Sequence, residues 1–203
     1  MAEVIIVPEG RLRRDIRVEA GQRTDLVLAV MPGVSCDVAL DVTLAGEGAE
    51  ANIYGAYICG GEEKVKIGVD MHHDVPHCNS RQLFKGIAGG NSRVDFYGKI
   101  IVAQDAQRTE AYQENHNILL SDDARVDTKP QLEIYADDVK CSHGATIGRL
   151  NEEEQFYMRS RGITLEDAKV LQMISFLAPV LEAIPEAERE YMAAQIETAI
   201  RNI

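Results

Sequence analysis

A cysteine and a histidine lie two residues apart near the end of the stretch 130–150, and their spacing suits metal binding. Cys141 and His143 belong to a segment in which apolar and polar residues alternate, which predicts a strand with one buried face. On a strand both side chains point to the same side, with Cα atoms roughly 6.5 to 7 Å apart. A soft metal accepts a thiolate and an imidazole together, so the pair is a candidate metal site.

The same two residues have a second interpretation. They share the strand face of Val139 and Ile147, so they can equally be a small core residue and a hydrogen-bonded core histidine. Two ligands are also too few for iron, because clusters usually take four thiolates or a mixture with histidine. A metal site here would need a partner chain to complete it.

A second group of metal-binding residue types lies upstream, in the stretch MHHDVPHC. It contains His72, His73, His77 and Cys78. On a strand His73 and His77 would share a face, and a metal-dependent, cupin-like barrel enzyme could use the three histidines to hold a divalent metal. Pro76 interrupts such a strand, however, and a polar loop collects these residue types without any ligand.

Composition limits the functions open to the chain. Its 203 residues carry a formal net charge of −12, which argues against nonspecific binding to nucleic acid or to anionic membranes. No stretch approaches the ~20 apolar residues of a membrane span, and the four cysteines form no CxxC pair, so we expect a cytoplasmic protein with reduced thiols. The one basic cluster, which we interpret as a solvated turn or strand edge, consists of Arg11, Arg13, Arg14 and Arg17.

Elements with the periodicity of strands follow one another from Glu3 to about Leu150. Gly, Asp and Asn separate them, which fits either a barrel or sandwich or a stacked solenoid. The lack of two-residue Asn-Gly or Asp-Gly hairpins between the middle strands favours the solenoid. We therefore divide the chain into a β part, 1–150, and a small helical part, 151–203.

The helical part has recognisable start and stop signals. Asn151 and Thr164 are suited to cap two helices, Pro179 should kink or divide the second, and Pro185 should open a third. The second helix has more apolar residues than one narrow stripe requires, so more than one of its faces should be covered. We expect the helices to cap the open end of the β stack, either alone or together with binding of a partner.

Three stretches carry a resemblance to a known family. They are SRQLFKG (80–86), FYGKIIV (96–102) and the long run 103–163, and together they resemble the SufB/SufD family of the SUF iron–sulfur cluster assembly machinery. The resemblance implies a right-handed parallel β-helix followed by a helical segment. It also implies that the helices bind the ATPase SufC and that two β-helices pair. The sequence has no GxxxxGK[ST] motif, so we expect no nucleotide site in this chain and ATP hydrolysis by the partner.

Within that family the chain is similar to SufD-type members. The run CSHGAT (141–146) implies that His143, with Cys141, contributes to an iron or iron–sulfur site at a subunit interface. SufB-type members place a glutamate where this chain has Gly144 and a cysteine in the preceding rung, near Asn115–Asn117. The strand pattern begins almost at Met1, so we expect the helical N-terminal part of long members to be missing. We therefore expect a noncatalytic scaffold subunit that pairs with a SufB-like chain or with itself.

Overall fold

The computed structural model describes residues 2–203, which form eleven strands followed by three helices. The strands are β1 Glu3–Ile6, β2 Gly10–Val18, β3 Arg23–Val30, β4 Cys36–Leu44, β5 Glu50–Cys59, β6 Lys64–His73, β7 Asn79–Ala88, β8 Arg93–Val102, β9 Glu110–Leu119, β10 Arg125–Ile134 and β11 Lys140–Gly148. The helices are α1 Glu152–Ser160, α2 Leu165–Leu181 and α3 Glu186–Arg201.

The strands alternate between two parallel sheets. Sheet A has the order β1-β3-β5-β7-β9-β11, and sheet B has the order β10-β8-β6-β4-β2. Each strand pairs in parallel with the strand two places before it, as in the pairing of β9 with β7 and of β11 with β9. This stacking is a parallel β-helix, which confirms the predicted solenoid and excludes the barrel and the sandwich.

Side chains that point inward from both sheets form the interior core. They are mostly Val, Leu, Ile and Ala, and nearly all of the central ones are buried. Glycine makes room where a large inward side chain crosses the interior. A Cβ on Gly86 would overlap the ring of Tyr57, and one on Gly98 would overlap the amide of Gln113. The interior is therefore filled by fitted pairs of large and very small residues.

The helices form a third layer on the outer face of sheet A. Helix α2 contacts β7 and β5, and its apolar residues form a second core with outward-facing residues such as Val27, Ala56 and Ile87. The prediction that the helices cap the end of the stack is therefore wrong. Their apolar side chains match the apolar outer surface of β3, β5 and β7, which would otherwise face water.

The ends of the helices follow the sequence signals closely. The side chain of Asn151 accepts hydrogen bonds from two amides in the first turn of α1, and that of Thr164 accepts one at the start of α2. Pro179 does not divide α2, because it falls in the last turn and the helix ends two residues later. Pro185 precedes the first residue of α3 rather than being that residue.

The two ends of the β-helix differ. At the β1–β2 end, Glu3 and Arg14 point inward from opposite sheets and form an ion pair of 3.5 Å. The other arginines of this edge strand also contact carboxylates, Arg11 with Asp37, Arg13 with Asp15 and Arg17 with Glu19. At the β10–β11 end no described element covers the last rung, whose inward-facing side chains reach solvent. The basic cluster is thus an edge strand, and the other end is open.

Candidate functional site

Strand β11 places Cys141 and His143 on its inward face at the open end. Cys141 is in register with buried Ala111 of β9, and His143 is in register with buried Gln113. Cys141 is half-buried against the interior core, whereas His143 is exposed because no described strand pairs with the far edge of β11. The expected common face is present, and the interpretation of His143 as a core histidine is wrong.

The two donors differ in how readily they can bind a metal. Burial raises the pKa of the Cys141 thiol, and a hydrogen bond with the backbone of Ala111 only partly opposes this. A thiol with a raised pKa keeps its proton at neutral pH, so a metal would have to displace that proton. His143 presents its imidazole to solvent without a hydrogen-bond partner among the described residues. The histidine is therefore the more accessible ligand.

The side chains of Cys141 and His143 are of types that bind iron, but two ligands are fewer than an iron centre needs. A thiolate and an imidazole are both ligands of iron–sulfur centres, yet such centres usually take four. Within residues 2–203 no group of three or more His, Cys, Asp or Glu side chains is placed to hold a metal ion. Cys141 and His143 alone are therefore too few to hold an iron centre within the described residues.

The upstream histidines do not form a metal cluster. His73 points into the interior, where Nε2 lies 2.9 Å from the hydroxyl of Ser80 and burial, with a smaller contribution from His72, lowers its pKa to about 4. His72 lies on the outer face of sheet B, 3.8 Å from Asp41. His77 is in the following loop with a positive φ of 61°. The cupin-like alternative therefore lacks both its barrel and its three-histidine site in the described structure.

A buried polar cluster beneath the open end was not predicted. Tyr57, Asn115 and Asn117 form a closed ring of hydrogen bonds, in which Asn115 donates to the tyrosine hydroxyl (3.0 Å) and Asn117 donates to Asn115 (2.8 Å). Beside it, Gln113 donates to Gln82 (2.8 Å). The period-2 pattern of Gln113, Asn115 and Asn117 was the available signal, but such alternation predicts a buried face only when the inward residues are apolar.

The helical layer has a second exposed feature. A groove of about 800 Å³ lies between α1 and α2 and extends to β9. Tyr157 and Leu171 line it, and Phe156 next to Tyr157 is the most exposed large apolar residue, at 74%. Apolar side chains that protrude together in this way usually mark a contact surface for another protein.

No described helix is both long and apolar enough to cross a membrane.

The fold and these two surfaces define a class of protein. It is a parallel β-helix subunit with an uncovered last rung and a lateral helical layer, which suits assembly with other chains. The family model for the SufBD core domain of SUF system FeS cluster assembly matches residues 12–176. The chain belongs to this SufBD family.

Individual relatives agree with this assignment. The chain is 49% identical over 127 residues to the iron–sulfur cluster assembly protein SufD of Escherichia coli (strain K12), covering 62% of this chain and 30% of that protein. It is 48% identical over 112 residues to a SufBD family protein of Synechocystis, covering 55% and 25% of the two chains. A SufBD family protein of Mycobacterium leprae is 30% identical over 181 residues, covering 84% and 46%. The chain thus spans less than half the length of these relatives.

Proposed function

We propose that this chain is a SufD-like, noncatalytic scaffold subunit of the SUF iron–sulfur cluster assembly machinery, acting in the cytoplasm. The uncovered last rung of the β-helix is the observation that carries the proposal. Strand β11 has a free edge of backbone donors and acceptors, and Ile147 on its inward face is 46% exposed. A free edge of this kind is a template for pairing with another strand.

The partner at this end is a SufB-like chain or a second copy of this chain. Pairing would cover the inward face of β11 and bring the partner's residues next to Cys141 and His143. Those residues would complete the coordination of iron or of an iron–sulfur cluster, which is the cargo of the machinery. In this scheme residues 1–150 are the pairing part and residues 151–203 are the part that binds a SufC-type ATPase.

The site at the open end is tested by cluster content. The chain should be coexpressed with the SUF components of its own cell, purified without oxygen and assayed for copurifying proteins, iron and sulfide. We expect His143→Ala to lower bound iron and sulfide by about tenfold or more, since one ligand of the shared site is lost. His116→Ala is the matched control, because His116 lies on the outer face of the adjacent strand β9.

The two parts of this proposal can fail separately. Full iron and sulfide content in the His143→Ala complex would remove His143 from the site and leave the scaffold role intact. If no ATPase and no SufB-like chain copurified with the wild-type chain, the scaffold role itself would be contradicted.

The apolar groove of the helical layer is the proposed ATPase-binding surface. Tyr157 and Leu171 line it, so the double variant Tyr157→Asp/Leu171→Asp should lose the copurifying ATPase while the β-helix partner is retained. Tyr191→Asp is the control, because Tyr191 is 64% exposed on α3 and is not among the residues that line the groove. Retention of the ATPase by the double variant would rule out this surface.

A further inference from the structure

The amide of Gln113 has one free hydrogen-bonding atom directly beneath His143. Gln113 is fully buried, and its Nε2 donates to Oε1 of Gln82 on the strand below at 2.8 Å. Its Oε1 has no partner among the described residues. An unpaired buried acceptor costs roughly 1–3 kcal/mol, so a donor that can reach it will be drawn to it.

The stacked strands set the direction in which this acceptor points. Gln82, Gln113 and His143 occupy successive places in one inward-facing column of β7, β9 and β11. Neighbouring places in such a column are roughly 4.8 Å apart, the distance at which side-chain amides form ladders along a sheet. Nε2 of Gln113 is held by Gln82 below, so the oxygen of the same amide is the atom left without a partner, and the next place in the column is on the strand above. The residue at that place is His143.

The surroundings hold the Gln113 amide in this orientation. Gly98 on the opposite sheet leaves the space that the amide fills, and a Cβ there would overlap both Nε2 and Oε1. The His143 side chain, in contrast, is exposed and free to rotate. The acceptor is thus fixed by its surroundings, whereas the imidazole that would donate to it is free to turn.

We propose that Gln113 is a positioning residue for His143, accepting a hydrogen bond from its Nδ1–H so that Nε2 faces the open end with its lone pair free. A second hydrogen bond of this kind fixes the tautomer and ring direction of metal-binding histidines. The inference deepens the proposed function, because it explains how a lone exposed histidine is held ready for a ligand across the interface.

The tautomer of His143 tests the inference without any partner or metal. The whole chain labelled with ¹⁵N-histidine is measured by NMR at a pH where the imidazole is neutral, and the His143 signals are identified by their absence in His143→Asn. We expect the Nδ1–H tautomer to exceed the Nε2–H tautomer by about tenfold, corresponding to about 1.4 kcal/mol. In Gln113→Met, which keeps the side-chain length but lacks the acceptor, this preference should be lost.

His116 provides the control within the same spectrum. It lies on β9 as Gln113 does but faces outward, where Nδ1 is 2.9 Å from the Thr146 hydroxyl, so its signals should not change in Gln113→Met. Predominance of the Nε2–H tautomer in the wild-type chain, or an unchanged preference in Gln113→Met, would overturn the inference. The proposed function fails on a different result, which is the absence of both an ATPase and a SufB-like chain among the proteins that copurify with the wild-type chain.

Discussion

Two histidines of this chain show how position within the β-helix decides what a side chain can do. His73 and His143 both point inward, yet His73 is enclosed by later rungs and His143 is not. Burial lowers the pKa of His73 to about 4, which keeps it neutral and bonded to Ser80. His143, on the last strand, keeps the solvent access that a ligand or a proton needs.

Protonation of His73 should make the fold sensitive to mild acid. The unfolded chain takes up this proton near the ordinary pKa of 6.5, whereas the folded chain takes it up only near about 4. Stability is therefore lost as pH falls through this window, by on the order of 3 kcal/mol for this group. Urea unfolding at pH 7, 5.5 and 4.5 should show this loss in the wild type and a smaller one in His73→Gln, which keeps a partner for Ser80.

The control for this measurement is the neighbouring histidine. His72→Gln removes a half-exposed imidazole from the outer face of sheet B and should change the pH dependence only slightly, because His72 makes the smaller contribution to the lowered pKa of His73. Equal slopes for wild type and His73→Gln between pH 6.5 and 4.5 would show that burial of His73 does not govern the acid response.

At the scale of single elements, the strands depend on glycine where inward side chains are largest. Gly86 pairs with Tyr57 across β7 and β5, and the tyrosine ring occupies the space of the missing side chain. Gly86→Ala should therefore lower the free energy of unfolding by about 1–3 kcal/mol through overpacking. Chemical denaturation of the full chain measures this directly.

Gly68 provides the matched comparison. It lies within β6 on the outer face of sheet B, where an added Cβ would meet only the carbonyl of Val38 at 3.8 Å. Gly68→Ala should be neutral or slightly stabilising, because alanine loses less conformational entropy on folding than glycine. Equal destabilisation by both alanines would point to a general cost of alanine in these strands instead of an overlap with Tyr57.

Sequence periodicity predicted most elements but not all. Strands such as β4 and β8 show alternation of apolar and polar residues. The helices were marked by capping residues such as Asn151. Strand β2 was predicted only as a solvated turn or strand edge, because most of its outward positions are arginines and its inward face also carries Arg14. The position of the helices was predicted wrongly for another reason. The many apolar residues of α2 indicate that its faces are covered, but they do not indicate which surface of the β-helix covers them.

The candidate site was predictable in its residues and not in its setting. Alternation alone placed Cys141 and His143 on one face, which the register of β11 on β9 agrees with. That the face lies at an open end depends on where the helices pack. The amide beneath His143 depends on a pairing between residues 30 positions apart, Gln113 and His143, and local spacing carries no information about such a pairing.

At the scale of the whole molecule, the open end should govern association. Ile147 is 46% exposed on the inward face of β11, so Ile147→Lys would bury a charge in the proposed interface. We expect this variant to weaken pairing with the β-helix partner by at least about tenfold. Analytical ultracentrifugation of the purified complex over a range of concentrations measures the change.

Ile6→Lys is the control for that prediction, since Ile6 is 53% exposed on β1 at the other end of the β-helix. It should associate as the wild type does. Equal weakening by both lysines would argue against an interface confined to the β10–β11 end.

The inward ion pair of Glu3 and Arg14 bears on how many copies one assembly can hold. A contact between β11 of one molecule and β1 and β2 of the next would leave a free end on each side, so it would repeat and grow a fibre. Such a contact would have to enclose two charges between apolar side chains, at a desolvation cost of several kcal/mol for each ion. Pairing of two β11 ends meets no such charge and uses up both surfaces at once. If two β11 ends pair as proposed, the charged β1–β2 end, furthest from the candidate site, would keep the assembly from growing beyond that pair.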